Sequence, residues 1–266
     1  MIYHSQWVGS FTLGCEMTES YTLGYTQTAL DFVSRRTLES HGSFFIPYLR
    51  PGLAVLDCGC GPGSITLGIA ERVSHGTVVG IDISESQVEL GRQSAAERGI
   101  INVRFQQGSA YELPFPDASF DAVFSNALLE HLREPPRALR EFRRVLRPGG
   151  RVGISGPDWD AFLYSPPWEK LTAAIRAYTE IQNRNGGDTR LGRKLVELLI
   201  DTGFVEVKAQ ARYENYESLD TISEVIASEL DSSGETTLAA AMREWAVLPY
   251  GMFAQAWVSC VGRRPD

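Results

Sequence analysis

Histidine and cysteine are scarce in this 266-residue chain, four of each, and Lys plus Arg (25) are outnumbered by Asp plus Glu (33). The cysteines stand at 15, 58, 60 and 260, neither as CxxC nor at a zinc spacing. That excludes a disulfide-dense scaffold and reads as small buried side chains in a reducing cytoplasm. No His, Asp and Glu share an evident ligand spacing, so no metal is expected. A net charge of −8 argues against a broad footprint for nucleic-acid phosphates. No run of about 18 apolar residues occurs, so no membrane-spanning helix is expected. The start, MIYHSQWVGSF, lacks the charged opening and apolar run of a signal peptide. Repeats and low-complexity segments are also missing. What is present, 43% hydrophobic and 22% charged residues, suits a globular chain that can bury a core without staples.

The chain divides into stretches of different character. Residues 1–50 are rich in Tyr, Thr and Phe and pass into an amphipathic helical pattern through Leu30, Val33, Thr37 and Leu38. Residues 51–156 alternate short β-branched runs with helical patterns, the mark of βαβ units and a parallel sheet. Strands are expected at 54–58, 78–83, 103–106, 122–125 and 151–155, heavy in Val and Ile as strands covered on both faces are. Between them, Ser84 and Gln87 fit a capping box opening a helix over 85–98, with Gly99 as its stop. Pro148-Gly149-Gly150 ends a helix over 137–146. Gly203 closes a helix over 191–201, and 254–262 reads as a late strand. The fold class is α/β, doubly wound.

Val55-Leu56-Asp57-Cys58-Gly59-Cys60-Gly61-Pro62-Gly63-Ser64 carries the most chemistry. A buried strand runs into three alternate glycines and then a helix, so the backbone can turn sharply and approach a ligand without a Cβ in the way. Ser64 occupies the place of the third glycine in a dinucleotide fingerprint. The altered spacing, with an acid just before the loop, suits a ligand without phosphates. Asp82, 23 residues after Gly59, closes the second strand, where a carboxylate can accept both ribose hydroxyls of an adenosine.

These segments resemble the first two motifs of class I S-adenosylmethionine-dependent methyltransferases. Further pieces follow in that family's order. Gly108-Ser109-Ala110 resembles the adenine-contacting loop, Phe120 through Leu132 the fourth strand and its helix, and Leu146-Arg147-Pro148-Gly149-Gly150 the turn before strand five. The whole set is similar to the quinone-biosynthesis-type small-molecule methyltransferases. The resemblance implies a Rossmann-like, mostly parallel seven-stranded sheet with helices on both faces and a helical lid. Its implied parts are an N-terminal helical lid (1–50), a cofactor-binding core (51–156), a lid insertion with a helix (157–202), and final strands (203–266) carrying a helical insertion at 218–247. It implies S-adenosylmethionine as cofactor and S-adenosylhomocysteine as product. The residues it points to are Asp57, Gly59, Cys60, Gly61, Gly63, Asp82, Ile83, Gln87, Gly108, Ser109, Ala110 and Asn126. The family places Asp where Ser109 stands; a hydroxyl offers a hydrogen bond but no charge.

Methyl transfer from a sulfonium needs alignment and exclusion of water more than a fixed triad. His131 is the histidine nearest the expected cleft and the candidate base, though a helix-packing or helix-end role is the more ordinary one for a histidine at that place. Tyr21, Tyr25, Tyr164 and Glu16 are alternatives. Substrate selection is expected from Tyr21, Tyr25, Trp159 and Tyr164, with Trp7, Phe11, Arg35, Arg36, Phe162 and Trp168 nearby, and with 185–188 as a mobile turn. Aromatics clustered in inserted segments favour a small, largely hydrophobic metabolite methylated on O, N or C. The arginines at 137, 140, 144 and 147 share a helical face, interspersed with Glu134 and Glu141, and read as a solvated, ion-paired stripe. An RNA or protein methyltransferase would need a recognition surface that is not visible, and a cofactor-binding protein with another activity is a further alternative. A monomer and a homodimer are both compatible with the residues.

Overall fold

The computed structural model describes residues 21–216 and 218–266. The elements run α1 (Gln27–Ser34), α2 (Leu38–His41), β1 (Ala54–Cys58), α3 (Ser64–Arg72), β2 (Thr77–Asp82), α4 (Glu85–Glu97), β3 (Val103–Gln107) and β4 (Phe120–Asn126). They continue with α5 (Pro135–Val145), β5 (Leu146–Ser165), α6 (Glu169–Arg184), α7 (Leu195–Asp201), β6 (Val205–Asn215), α8 (Leu219–Ser232), α9 (Thr236–Ala246) and β7 (Met252–Arg263). The seven strands form one sheet in the order β3-β2-β1-β4-β5-β7-β6. β1 to β5 are parallel, and β7 runs antiparallel between β5 and β6. This is the doubly wound fold expected.

The two-residue period of the strands divides their side chains between the sheet faces. Leu56, Cys58, Val79, Ile81 and Val123 join α5 and α7 in one core, whereas Val55, Val78, Ala122 and Phe124 pack with α2 and α3 in another. A separate cluster holds α6, α8 and α9 together with Phe32, Trp159 and Phe253, so the cap has its own hydrophobic core.

Four expectations need correction. The helical pattern through Leu30 and Leu38 is broken at Arg35–Thr37, because Thr37 and Ser40 form a capping box that starts α2. The box expected at Ser84 and Gln87 does not form: Asp82 Oδ1 already accepts the Ser84 backbone N–H at 3.0 Å. β5 extends to Ser165 instead of stopping near 155, since β7 pairs with it as far as Met252. Trp159, Phe162 and Tyr164 are therefore strand residues rather than a loop insertion. Arg147 lies in β5, beyond the end of α5. The stripe is nevertheless ion-paired, with Arg144 on Glu141 and Asp117 and Arg147 on Asp121.

Candidate active site

β1 has β2 on one side and β4 on the other, so the strand order reverses there. In such sheets ligands bind outside the C-terminal ends of the strands at this switch point. The loops after β1, β2, β3 and β4 meet at that place around a cavity of about 540 Å³.

Each wall of the cavity follows from local structure. Asp57, near the end of β1, is buried and accepts a 2.6 Å hydrogen bond from Thr66 Oγ1. Burial lifts its carboxyl to about 7, against the Thr66 hydrogen bond, and the charge of Asp82 adds to the rise. Gly59 adopts φ +75°, and a Cβ there would press on Leu128 at 3.0 Å. Asp82, at the end of β2, accepts the Gly61 N–H on Oδ2 at 2.9 Å while its Oδ1 holds Ser84. Each oxygen keeps a further lone pair. Burial raises its pKa, opposed by the backbone N–H groups of Ser84, Gly61 and Ile83. After β3, Ser109 Oγ accepts the Tyr111 N–H at 3.1 Å, so the hydroxyl pins its own turn and still has a proton to donate. After β4, Asn126 Nδ2 is buried without a partner among the described residues, and Ala127 is held at φ +52°, a conformation rarely adopted by non-glycine residues.

Of the residues named from the sequence for the cofactor, all line this cavity except Gly63. Gly63 caps α3 at φ +84°, where a Cβ would meet the Phe105 ring at 2.7 Å, so it serves the packing of α3 on β3. Tyr21 and Tyr25 line the cavity, and Ala29, Leu30, Val33 and Arg36 roof it. Their spacing puts them along one side of α1 and its exit.

A second, smaller chamber of about 20 Å³ adjoins the first and shares Arg36, Ala127 and His131 with it. Trp159 and Tyr178, ring centroids 4.9 Å apart, help to line it. Tyr164 reaches neither cavity, because its hydroxyl is tied to Thr172 Oγ1 at 2.5 Å. Phe162 and Trp168 pack against the cap cluster, and the turn at 185–188 is pinned by Asp188 N–H on the Glu130 carbonyl and by Asn185 on Thr22. Trp7, Phe11 and Glu16 lie outside the described residues.

His131 is partly buried, its Nδ1 is enclosed with no hydrogen-bond partner among the described residues, and the Tyr21 ring stands edge-on at 4.9 Å. Burial pushes its pKa down to about 3, with the charge of Arg36 acting the same way. The neighbouring Glu130 is pushed up to about 7 by burial, and its Oε2 also has no partner among the described residues. Sequence reasoning missed Glu130, Gln182 and Gln255, which are buried in the chamber wall. They come from segments tens of residues apart, and no local pattern joins them. Among the described residues, no group of three His, Cys, Asp or Glu could hold a metal ion.

The model of a methyltransferase-domain family matches residues 49–202, more than half of the chain. The chain belongs to the methyltransferase-domain family. Among relatives, a demethylmenaquinone methyltransferase of Symbiobacterium thermophilum is 35% identical over 61% of this chain and 72% of its own length. Nocamycin O-methyltransferase of Saccharothrix syringae is 39% identical over half of this chain and 47% of its own. The chain spans about half the length of several curated relatives it matches, including 44% of an uncharacterized 37.1 kDa transposon protein of Streptomyces fradiae. Among solved structures, the YcgJ protein of Bacillus subtilis shares the fold at a TM-score of 0.61 and 23% identity, over 84% of this chain and 97% of its own. The [4+2]-cyclase SpnF superposes at 0.55 with 26% identity, over 89% and 79%. Methyltransferase-domain membership thus rests on the stretch that contains β1 to β5, while the cap lies largely outside it. No described helix is long and apolar enough to cross a membrane.

Proposed function

We propose that this chain transfers a methyl group from S-adenosylmethionine to an O, N or C atom of a small, largely hydrophobic metabolite in the cytoplasm. The observation that carries the reading is the meeting of the two cavities at the end of β4, where Ala127 and His131 belong to both walls. The larger cavity, about 540 Å³, has the size of ligand sites, roughly 300–1,000 Å³, and Tyr21, Tyr25 and Leu30 give it an apolar wall, while the small chamber beside it has room for about one water.

The first cavity fits the cofactor on its own chemistry. Asp82 offers two free lone pairs beside a glycine backbone and would hold the ribose hydroxyls. Asp57 and the 59–61 backbone would face the methionine part, with Gly108, Ser109 and Ala110 at the adenine. When bound, S-adenosylmethionine supplies a methyl group already activated on a sulfonium. The protein's part is to align the acceptor and keep water out. Tyr21, Tyr25 and α1 roof the cavity and serve that exclusion. His131, held neutral by burial, is ready to accept a hydrogen bond from an acceptor O–H or N–H. Glu130, with its carboxyl near 7, is matched to receiving a proton at neutral pH.

A second reading, a protein of this fold that binds the same cofactor but performs another reaction, is favoured by the likeness to the cyclase SpnF and by Ser109 in place of a carboxylate. Incubating the protein with S-adenosylmethionine labelled in the methyl group and a metabolite extract, followed by mass spectrometry, separates the two. A labelled small product supports methyl transfer. Cofactor binding with no labelled product from any extract supports the second reading.

A further inference from the structure

Arg36 is a buried charge just beyond the end of α1. The residue is 8% exposed, and its guanidinium lies over the rings of Phe32 and Trp257 at 5.3 and 5.1 Å from their centroids. Among the described residues its side chain forms no ion pair and no hydrogen bond, and Nε is buried without a partner. Its neighbour shows the contrast. Arg35 pairs with Glu214 at 2.5 Å, and the second oxygen of that carboxylate is held by His41, so Glu214 is already engaged. A guanidinium cannot shed its proton, and leaving it buried and unpaired is destabilising. Stacking on aromatic rings offsets part of that penalty and leaves the in-plane N–H edge of the guanidinium for a ligand.

The surroundings point the same way. Arg36 lies where the two cavities meet, and residues of the chamber wall carry five more buried atoms without a partner among the described residues: Glu130 Oε2, His131 Nδ1, Gln182 Oε1, Gln255 Nε2 and Trp257 Nε1. A chamber of about 20 Å³ has room for about one water, and a water makes at most four hydrogen bonds. One water therefore cannot satisfy all of these groups and Arg36 as well. A planar oxyacid can pair with a guanidinium through two parallel N–H···O bonds, which is the geometry such a fork favours. The net charge of −8 makes the chain as a whole repel anions, so any preference for one has to be local.

We propose that Arg36 is a carboxylate receptor at the junction of the two cavities. Resting on the methyltransferase reading, the carboxylate has two possible sources, the methionine end of the donor in the larger cavity or an acidic acceptor seated toward the chamber. The chemistry recognised is the same in both.

Isothermal titration of wild type, Arg36→Gln and Arg36→Lys distinguishes the sources. The probes are S-adenosylhomocysteine and 5′-methylthioadenosine, which lacks the amino-acid part, and then 2-naphthoate against 2-naphthamide. If the donor supplies the carboxylate, Arg36→Gln weakens S-adenosylhomocysteine at least tenfold and 5′-methylthioadenosine less than threefold. If the acceptor supplies it, wild type prefers naphthoate to naphthamide at least tenfold, and Arg36→Gln removes the preference. Arg36→Lys, which keeps the charge but not the fork, falls between wild type and Arg36→Gln for the carboxylate probe and leaves the neutral one unchanged. Equal effects on both members of each pair overturn the proposal. So does a crystal structure of the S-adenosylhomocysteine complex in which Arg36 touches only ordered water, combined with no naphthoate preference. Failure of wild type to bind either nucleoside sinks the methyl-donor reading instead, and the naphthoate pair still tests Arg36 on the unliganded protein. Melting of Arg36→Gln at or above the wild-type temperature is expected, since the unpaired charge is gone, and keeps the comparison on folded protein.

Discussion

Asp57 and Asp82 face the same cavity in different circumstances. Asp82 spends one lone pair of each oxygen on the Gly61 and Ser84 N–H groups and has two left for a ligand. Asp82→Ala is expected to weaken S-adenosylmethionine about 100-fold, the size of one or two charge-assisted hydrogen bonds, with the circular dichroism spectrum retained. Unchanged affinity in calorimetry would remove the ribose assignment. Asp57, lifted to about 7 by burial, is half neutral at pH 7. Its charged form attracts a cationic ligand, so affinity for S-adenosylmethionine should rise roughly fivefold to tenfold between pH 6 and pH 8, and Asp57→Asn should flatten that rise. Equal affinities at the two pH values in the wild type count against it. Glu130 affects stability. Its folded-state carboxyl, near 7, holds a proton that the unfolded chain releases near 4.5, so its contribution falls as pH rises from about 4.5 to about 7. Glu130→Gln is expected to raise unfolding free energy at pH 8 by up to about 3 kcal/mol and to do little at pH 4, as read by urea denaturation at both. His131 has the opposite slope: the unfolded chain takes a proton near 6.5, the folded one only near 3, so stability falls as pH drops through that window. The glycines and Asp82 were legible because one loop after one strand brings them together. Glu130, Gln182 and Gln255 were not, because the chamber gathers them from the turn after β4, α6 and β7, and Arg36 was legible only as a neighbour of the lid aromatics.

Elements with a strong local signal matched closely. The first strand was read to the residue, and the helix from Glu85 stops one residue short of the expected end, with Gly99 at φ +64° behind it. Tertiary pairing set the misses. The length of β5 depends on β7, about a hundred residues later, and a three-residue offset between Asp158 and Phe162 hides the alternation a strand would otherwise show. The roof helix α1 is eight residues long and too short to persist alone, so its place depends on its anchor. Phe32 is that anchor, 4% exposed, stacked with Tyr216 and held in the cap cluster. Phe32→Ala should cost about 3–5 kcal/mol if α1 stays docked, and less if α1 detaches. Either way, turnover is expected to fall more than tenfold while donor affinity changes less than tenfold, because the 59–61 loop and Asp82 are built elsewhere. Steady-state kinetics beside calorimetry checks this; parallel losses in both would move α1 from roof to donor site.

At the scale of the molecule, the chain combines a sheet whose strand order reverses at β1 with a cap that has its own core. The sheet was legible because βαβ alternation and a glycine loop are local in sequence, and the acidic balance weighs against a polyanionic partner. The cap was legible as helical segments with a surplus of aromatics, but which of the aromatics line a cavity depends on packing between α6, α8, α9 and β7. Trp159 reaches the chamber, whereas Tyr164, five residues on, does not. The account's central claim is that the cavity at the switch point holds an adenosyl sulfonium rather than a dinucleotide. Calorimetric titration of the purified chain with S-adenosylmethionine and, separately, with NADH tests it most directly. The expected result is one S-adenosylmethionine site per chain in the micromolar range and no NADH heat above dilution; NADH binding, or no S-adenosylmethionine binding, contradicts it.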